Sequence, residues 1–266
     1  MDGTCSCSCY RDGFNAHARD RFTGSGRNAG ILVLLFLGSV VAAAISGAVR
    51  FGGALLLLPL LARVVGTEAA VPLLTVAQLV GNLSRAVFGA RSIAWKPAVI
   101  FLLAAMPAAL AGSYCFVAMP KALITRSIGV ALLLFVGLKA LGILKFEMTR
   151  PRLAGAGAVV GFLSGLVGSA GPLGAAAFLA LELPPVSYIA TEATTAVAMH
   201  ATKITVYAHF LPFDAKAKWL ALLLSAGMLV GSWLGKKTVE RLPAKKFRVL
   251  VGGLLVIVAL QMIIVG

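Results

Sequence analysis

Apolar runs long enough to cross a bilayer are interrupted near their middle by glycine and proline. Residues 157–210 show it best. An apolar run breaks at Gly168-Ser169-Ala170-Gly171-Pro172 and resumes as a short apolar run to about Leu183. The chain then turns at Pro184-Pro185 and continues as a long segment carrying Glu192, His200 and Lys203. In lipid, a backbone without regular hydrogen bonds is tolerated only where protein buries it or water reaches it. The pattern predicts an all-α, polytopic membrane protein with broken or re-entrant helices and a binding site beside the breaks.

The pattern occurs twice. Laying Ser46-Gly47 on Ser164-Gly165, a shift of 118 positions, brings two similar stretches into register. Each reads as an apolar helix, Ser-Gly, a glycine-rich break, a short apolar run, a turn and a long segment with polar residues. Arg85 falls on Lys203 and Asn82 on His200. Weak similarity at about half the chain length is the signature of a two-repeat transporter. The expected organisation is a disordered tail over 1–30, then a single transmembrane domain over 31–266. That domain divides into repeat 1 (31–150) and repeat 2 (151–266).

The composition agrees, with 60% hydrophobic and 12% charged residues against about 25% charged in soluble domains. Ten apolar segments are expected, at 31–49, 54–65, 71–88, 98–118, 122–144, from 153, up to 183, from 185, 217–235 and 249–265, making about 8–10 helical segments. The net charge of +15 does not indicate nucleic acid, because the cations lie between apolar runs rather than along one basic face. The loops 145–152 and 236–248 are the most basic and are expected to share the cytoplasmic side, with the C-terminus outside. That requires an even number of crossings between them, whereas inverted repeats require an odd number per half. Inverted and parallel repeats both stay open at this point.

Cys5, Cys7 and Cys9 form C-S-C-S-C in the polar tail. A spacing of one residue is not the usual zinc pattern, so a reduced tail is expected, with no metal and no cofactor. Cys115 reads as packing. No secretory leader is apparent, since about 30 polar residues precede the first apolar run.

Thr75, Gln78, Asn82 and Arg85 are separated by 3, 4 and 3 residues, so they share one helical stripe. Arg85 reads either as a cation snorkelling to the interface or as an anion ligand. Its three polar neighbours favour the ligand. Glu192 lies eleven residues from Lys203, about 16 Å along a helix, so the two cannot touch. Lys203 is then either partnered from another helix or held for an anion. Two cations with few acids between them point to a negatively charged substrate, tuned by Thr194 and Thr195. Glu192 and His200 are the candidates for proton coupling. Gly52-Gly53 and Gly171-Pro172 suit the starts of half-helices, whose free N–H groups attract anions.

The stretches 164–199 (SGLVGSAGPLGAAAFLALELPPVSYIATEATTAVAM) and, more weakly, 46–82 resemble the sulfite exporter TauE/SafE family, the TSUP group of membrane permeases. The resemblance implies export or uptake of small sulfur-containing or organic anions, such as sulfite, sulfoacetate or thiosulfate. The expectation is a secondary transporter in the cell (inner or plasma) membrane, with a proton or sodium as the possible coupling ion and an oligomeric state left open. It is not expected to be an enzyme. No G-x4-G-K-[ST] motif is present. An anion channel is one alternative. An intramembrane hydrolase built on Ser164 and His200 is another, weakened because Ser46 repeats the serine with no histidine following.

Overall fold

The computed structural model describes residues 25–49, 54–120, 149–168, 171–210 and 215–239, with isolated positions between 123 and 137. The tail cysteines, the break at Gly52-Gly53, most of the expected 122–144 segment and the expected 249–265 segment lie outside the described residues.

The described residues are helical, without strands. They form α1 (Ser25–Val49), α2 (Ala54–Val65), α3 (Thr67–Phe88), a single 3-10 turn (Ala90–Ser92), α4 (Trp95–Ala118), α5 (Arg150–Val167), α6 (Gly171–Leu179), α7 (Pro185–Phe210) and α8 (Ala215–Val239). Stretches within α3 (Ala69–Phe88), α4 (Trp95–Ala118) and α8 (Ala217–Leu234) are long and apolar enough to cross a membrane. The helices α1 and α8 outrun their apolar stretches. The first starts at Ser25, ahead of the expected Ile31, because polar residues extend a helix into water at little cost.

Proline and glycine set the ends. Pro151 and Pro172 each stand at the second position of a helix, and Pro185 at the first, where the missing N–H would have no intrahelical partner. The left-handed Gly168 (φ 82°) ends α5, a conformation that costs a residue with a Cβ. Pro59, Pro72 and Pro107 lie inside α2, α3 and α4.

The tightest pairing joins α4 to α5. A Cβ added at Gly157, Gly161 or Gly165 would meet the carbonyl oxygens of Phe101, Ala105 and Ala109 in turn. The numbers rise together, so α4 and α5 run parallel. Among membrane helices the apolar tails of lipid compete with apolar side chains, so close approach through small residues replaces the hydrophobic effect as the adhesive. The same device joins α1 to α8, where Gly227 faces Phe36 and Ser39 and Gly231 faces Val40 and Ala43. These two also run parallel.

The helix α7 runs parallel to α4. The Ala94 N–H donates to Thr191 Oγ1 at 2.9 Å near one end, and the Phe116 and Tyr207 rings meet edge-on at 5.5 Å near the other. Against α3, α7 is antiparallel. Gly89 abuts Ala190 at one end, and Val71 abuts Gly168, the residue bonded by Lys203, at the other. The helix α8 starts five residues after α7 ends, at the end where α3 begins, so α1, α3 and α8 share one direction and α4, α5 and α7 the opposite one. The main packing pairs are α1 with α8, α4 with α5, α3 with α7, α3 with α8 and α4 with α7. Thus α1 and α5, α3 and α7, and α4 and α8 run in opposite directions.

The outer faces are apolar. Leu34, Leu37 and Val41 of α1, Leu103 of α4 and Leu222 and Leu229 of α8 are exposed. Trp219 and Trp233 are exposed on α8, fourteen residues or about 21 Å apart, as expected of side chains marking two membrane interfaces. Among the described residues the interior holds two apolar clusters. One is built on Leu35, Leu57, Leu58, Leu61, Leu74 and Tyr207. The other contains the tilted pair Phe101 and Phe178, ring centroids 5.0 Å apart.

Candidate functional site

The α3–α7 crossing collects the polar side chains that a membrane interior does not otherwise accept. Thr75, Gln78 and Asn82 of α3 are buried, and Arg85 is half-buried, as their helical spacing predicts. From α7 come Thr191, Thr195, His200 and Lys203, all buried, with Glu192 and Thr194 half-buried.

The hydroxyls are held by their own helices. Thr75 donates to Val71 O at 2.8 Å, Thr194 to Ala190 O at 2.7 Å and Thr195 to Glu192 O at 2.8 Å. Each hydroxyl keeps lone pairs but has its proton directed at a carbonyl. Thr191 donates to Ser187 O at 2.6 Å and accepts from Ala94, tying the start of α4 to α7.

Lys203 has a partner from another helix. With none of its surface exposed, its Nζ donates to Gly168 O at 2.8 Å, Ser164 Oγ at 3.0 Å and Ser164 O at 3.3 Å. An ammonium has three protons to donate, so this set can engage all of them. The last carbonyls of a helix have no intrahelical partner and form the negative end of its dipole. Here that end is inside the bundle. Gly165 lies level with Ala109, well before α4 ends at Ala118. Tyr207, one turn beyond Lys203, donates to Gly165 O at 2.8 Å, with Ser113 beside its hydroxyl. Together, Lys203 and Tyr207 donate to the carbonyls of Ser164, Gly165 and Gly168 at the interrupted end of α5. Sequence reasoning left the lysine's partner open and missed Tyr207, although a second polar group at i+4 from Lys203 was a usable signal.

Arg85 directs its Nε to Gly81 O at 3.3 Å and lies within electrostatic reach of Glu192 and Tyr188 on α7. Glu192, too far along its own helix to meet Lys203, therefore has its opposite charge on α3. His200 lies within electrostatic reach of both Lys203 and Arg85. Its Nδ1 is buried and makes no hydrogen bond among the described residues.

Of the expected half-helix starts, Gly171-Pro172 does open α6, while Gly52-Gly53 lies outside the described residues. The polar stripe of α3, Glu192, His200 and Lys203 come together at one crossing. No group of three or more His, Cys, Asp or Glu able to hold a metal occurs among the described residues, and Cys115 is a half-buried free thiol.

Neither a curated relative nor a solved structure matches the chain. The family described as "Sulfite exporter TauE/SafE" matches residues 35–262, nearly the whole of the helical region. The described residues form a helical bundle with interrupted helices and with Arg85, Glu192 and Lys203 drawn into its interior, and the chain belongs to the sulfite exporter TauE/SafE family of membrane transporters.

Proposed function

We infer that the protein is a secondary transporter for a small anion, a sulfur-containing oxyanion or organosulfonate such as sulfite or sulfoacetate, in the cell membrane. The observation that carries this reading is a set of three basic side chains, Arg85, His200 and Lys203, around the crossing of two antiparallel helices. A cation inside a membrane domain is costly and is commonly part of a substrate pathway.

The roles within the site divide. Lys203 is committed to the carbonyl end of α5, so it holds the break in shape and adds positive potential from behind. Direct contact falls to Arg85, whose guanidinium matches the fork of a sulfonate or carboxylate. Gln78, Asn82, Thr75, Thr194 and Thr195 line the crossing, and the start of α6 at Gly171-Pro172 supplies free N–H groups. Glu192 beside Arg85 is the coupling candidate, exchanging a proton as the anion arrives or leaves.

The two halves act as inverted repeats. The opposite directions of α3 and α7, and of the pairs built around them, support this, and five segments per half satisfy the odd count that such repeats need. In inverted-repeat carriers, alternating access arises as one half rocks against the other around a fixed midplane site.

Binding to purified protein tests this reading. Sulfite, sulfoacetate, sulfate, thiosulfate and acetate are added to the protein in detergent, and the melting temperature is followed. A ligand of the folded state raises it by mass action. At least one sulfur oxyanion is expected to stabilise the parent and to lose that effect in Arg85→Gln. No response of the parent to any anion would contradict the proposal.

A further inference from the structure

His200 is 4% exposed, and its Nδ1 makes no hydrogen bond among the described residues. Buried polar atoms in native proteins are bonded with few exceptions, and each exception calls for an explanation. The neighbours on α7 show the usual solution. Thr191, Thr194, Thr195 and Thr202 all return their hydroxyl protons to carbonyls of the same helix. His200 makes no such bond through Nδ1.

The surroundings say what is missing. Lys203 follows one turn along α7, and Arg85 reaches in from α3. Both are positive, so the field at the ring attracts a negatively charged oxygen. Glu192 bears on this field from beside Arg85, two turns back along α7 from His200. A neutral imidazole carries its proton on one nitrogen and can donate it to an acceptor. The 118-position counterpart of His200 is Asn82, also buried. Its amide N–H sits at about the same distance from the backbone as a histidine Nδ1–H.

We propose that His200 is a direct substrate contact, its Nδ1–H donating to an oxygen of an oxyanion held between α3 and α7. This rests on the reading of that crossing as the anion site. It replaces the expectation that His200 carries a proton through the membrane. A polyatomic oxyanion has separate oxygens for the imidazole and for the Arg85 guanidinium, and the geometry therefore favours sulfite or a sulfonate over a halide.

The test uses full-length protein with sulfite and sulfoacetate, chloride serving as the comparison anion. His200→Phe keeps a ring of similar size and removes both nitrogens. His200→Asn keeps a donor near the Nδ1 position. The parent is expected to bind the oxyanion, His200→Phe to bind it at least tenfold more weakly with an unliganded melting temperature no lower than the parent's, and His200→Asn to stay within a few-fold. Parent-like affinity in His200→Phe overturns the proposal while leaving the anion site standing. Absence of any oxyanion response in the parent overturns both. If His200→Phe does not fold, nitrogen-15 histidine labelling of the parent decides the matter. The chain has three histidines, and the His200 Nδ1 resonance moves on adding sulfite if the contact exists and stays fixed if it does not.

Discussion

Lys203 Nζ lies 2.8 Å from the carbonyl oxygen of Gly168, the residue at which α5 turns left-handed and stops inside the bundle. A cation thus meets the negative end of an interrupted helix where water cannot solvate it. Substituting Lys203→Met leaves Gly168 O and Ser164 O without that donor. An unmade buried hydrogen bond costs about 1–3 kcal/mol, so the apparent melting temperature is expected to fall by several degrees in the absence of any anion. An unchanged melting temperature, with anion binding lost, would instead make Lys203 a ligand.

Close packing of α4 on α5 depends on particular glycines. A Cβ at Gly161 would strike the Ala105 carbonyl oxygen, while a Cβ at Gly155 on the same helix meets nothing within 4 Å. Gly161→Ala is expected to destabilise by about 1–3 kcal/mol, as overpacking does. Gly155→Ala is expected to be neutral or stabilising by up to about 1 kcal/mol, since alanine is the better helix former. Thermal melts of the two variants side by side check the pair.

The interrupted helices were legible because they depend on local chemistry. Gly168 alone accommodates its backbone angle without strain, and Pro172 suits the first turn of α6 but not a helix interior. The stripe of Thr75, Gln78, Asn82 and Arg85 was legible too, because helical spacing puts those residues on one face whatever packs there. The partner of each charge was not. Whether Lys203 meets an acid, a carbonyl or an anion is decided by which helix lies opposite, and nothing near Lys203 in sequence specifies Ser164. Helix direction was also hidden, since a short broken segment can be counted as a crossing or as none. That the glycines at 157, 161 and 165 seat α5 against α4 was not read from the sequence either.

Glu192 lies within electrostatic reach of Arg85 and offsets its charge. Glu192→Gln removes that competition and keeps the shape. Anion affinity is expected to rise about tenfold, equivalent to about 1.4 kcal/mol. If transport is coupled through this carboxyl, the variant binds tightly but no longer responds to a proton gradient. Binding isotherms and uptake at two gradients separate the two effects.

Arg91, Lys96, Arg150 and Arg152 are all exposed at the end of the bundle where α4 and α5 start. Cations concentrate on cytoplasmic loops, so this end is expected to face the cytoplasm. Lys218, near the start of α8, belongs to the opposite end. In a background lacking the native cysteines, Arg152→Cys is expected to react with an impermeant thiol reagent only from the inside, and Lys218→Cys only from the outside. Labelling of both from one side would refute the placing of these two ends on opposite sides of the membrane.

The most direct measurement is counterflow in proteoliposomes containing the purified protein. Vesicles are loaded with unlabelled sulfite or sulfoacetate, and entry of the labelled anion is followed. A carrier with one oxyanion site at the α3–α7 crossing predicts saturable uptake that is accelerated by the internal anion and abolished in Arg85→Gln. Uptake that rises linearly with concentration and ignores the internal anion would indicate a pore. Uptake that persists in Arg85→Gln would contradict the account of the site itself.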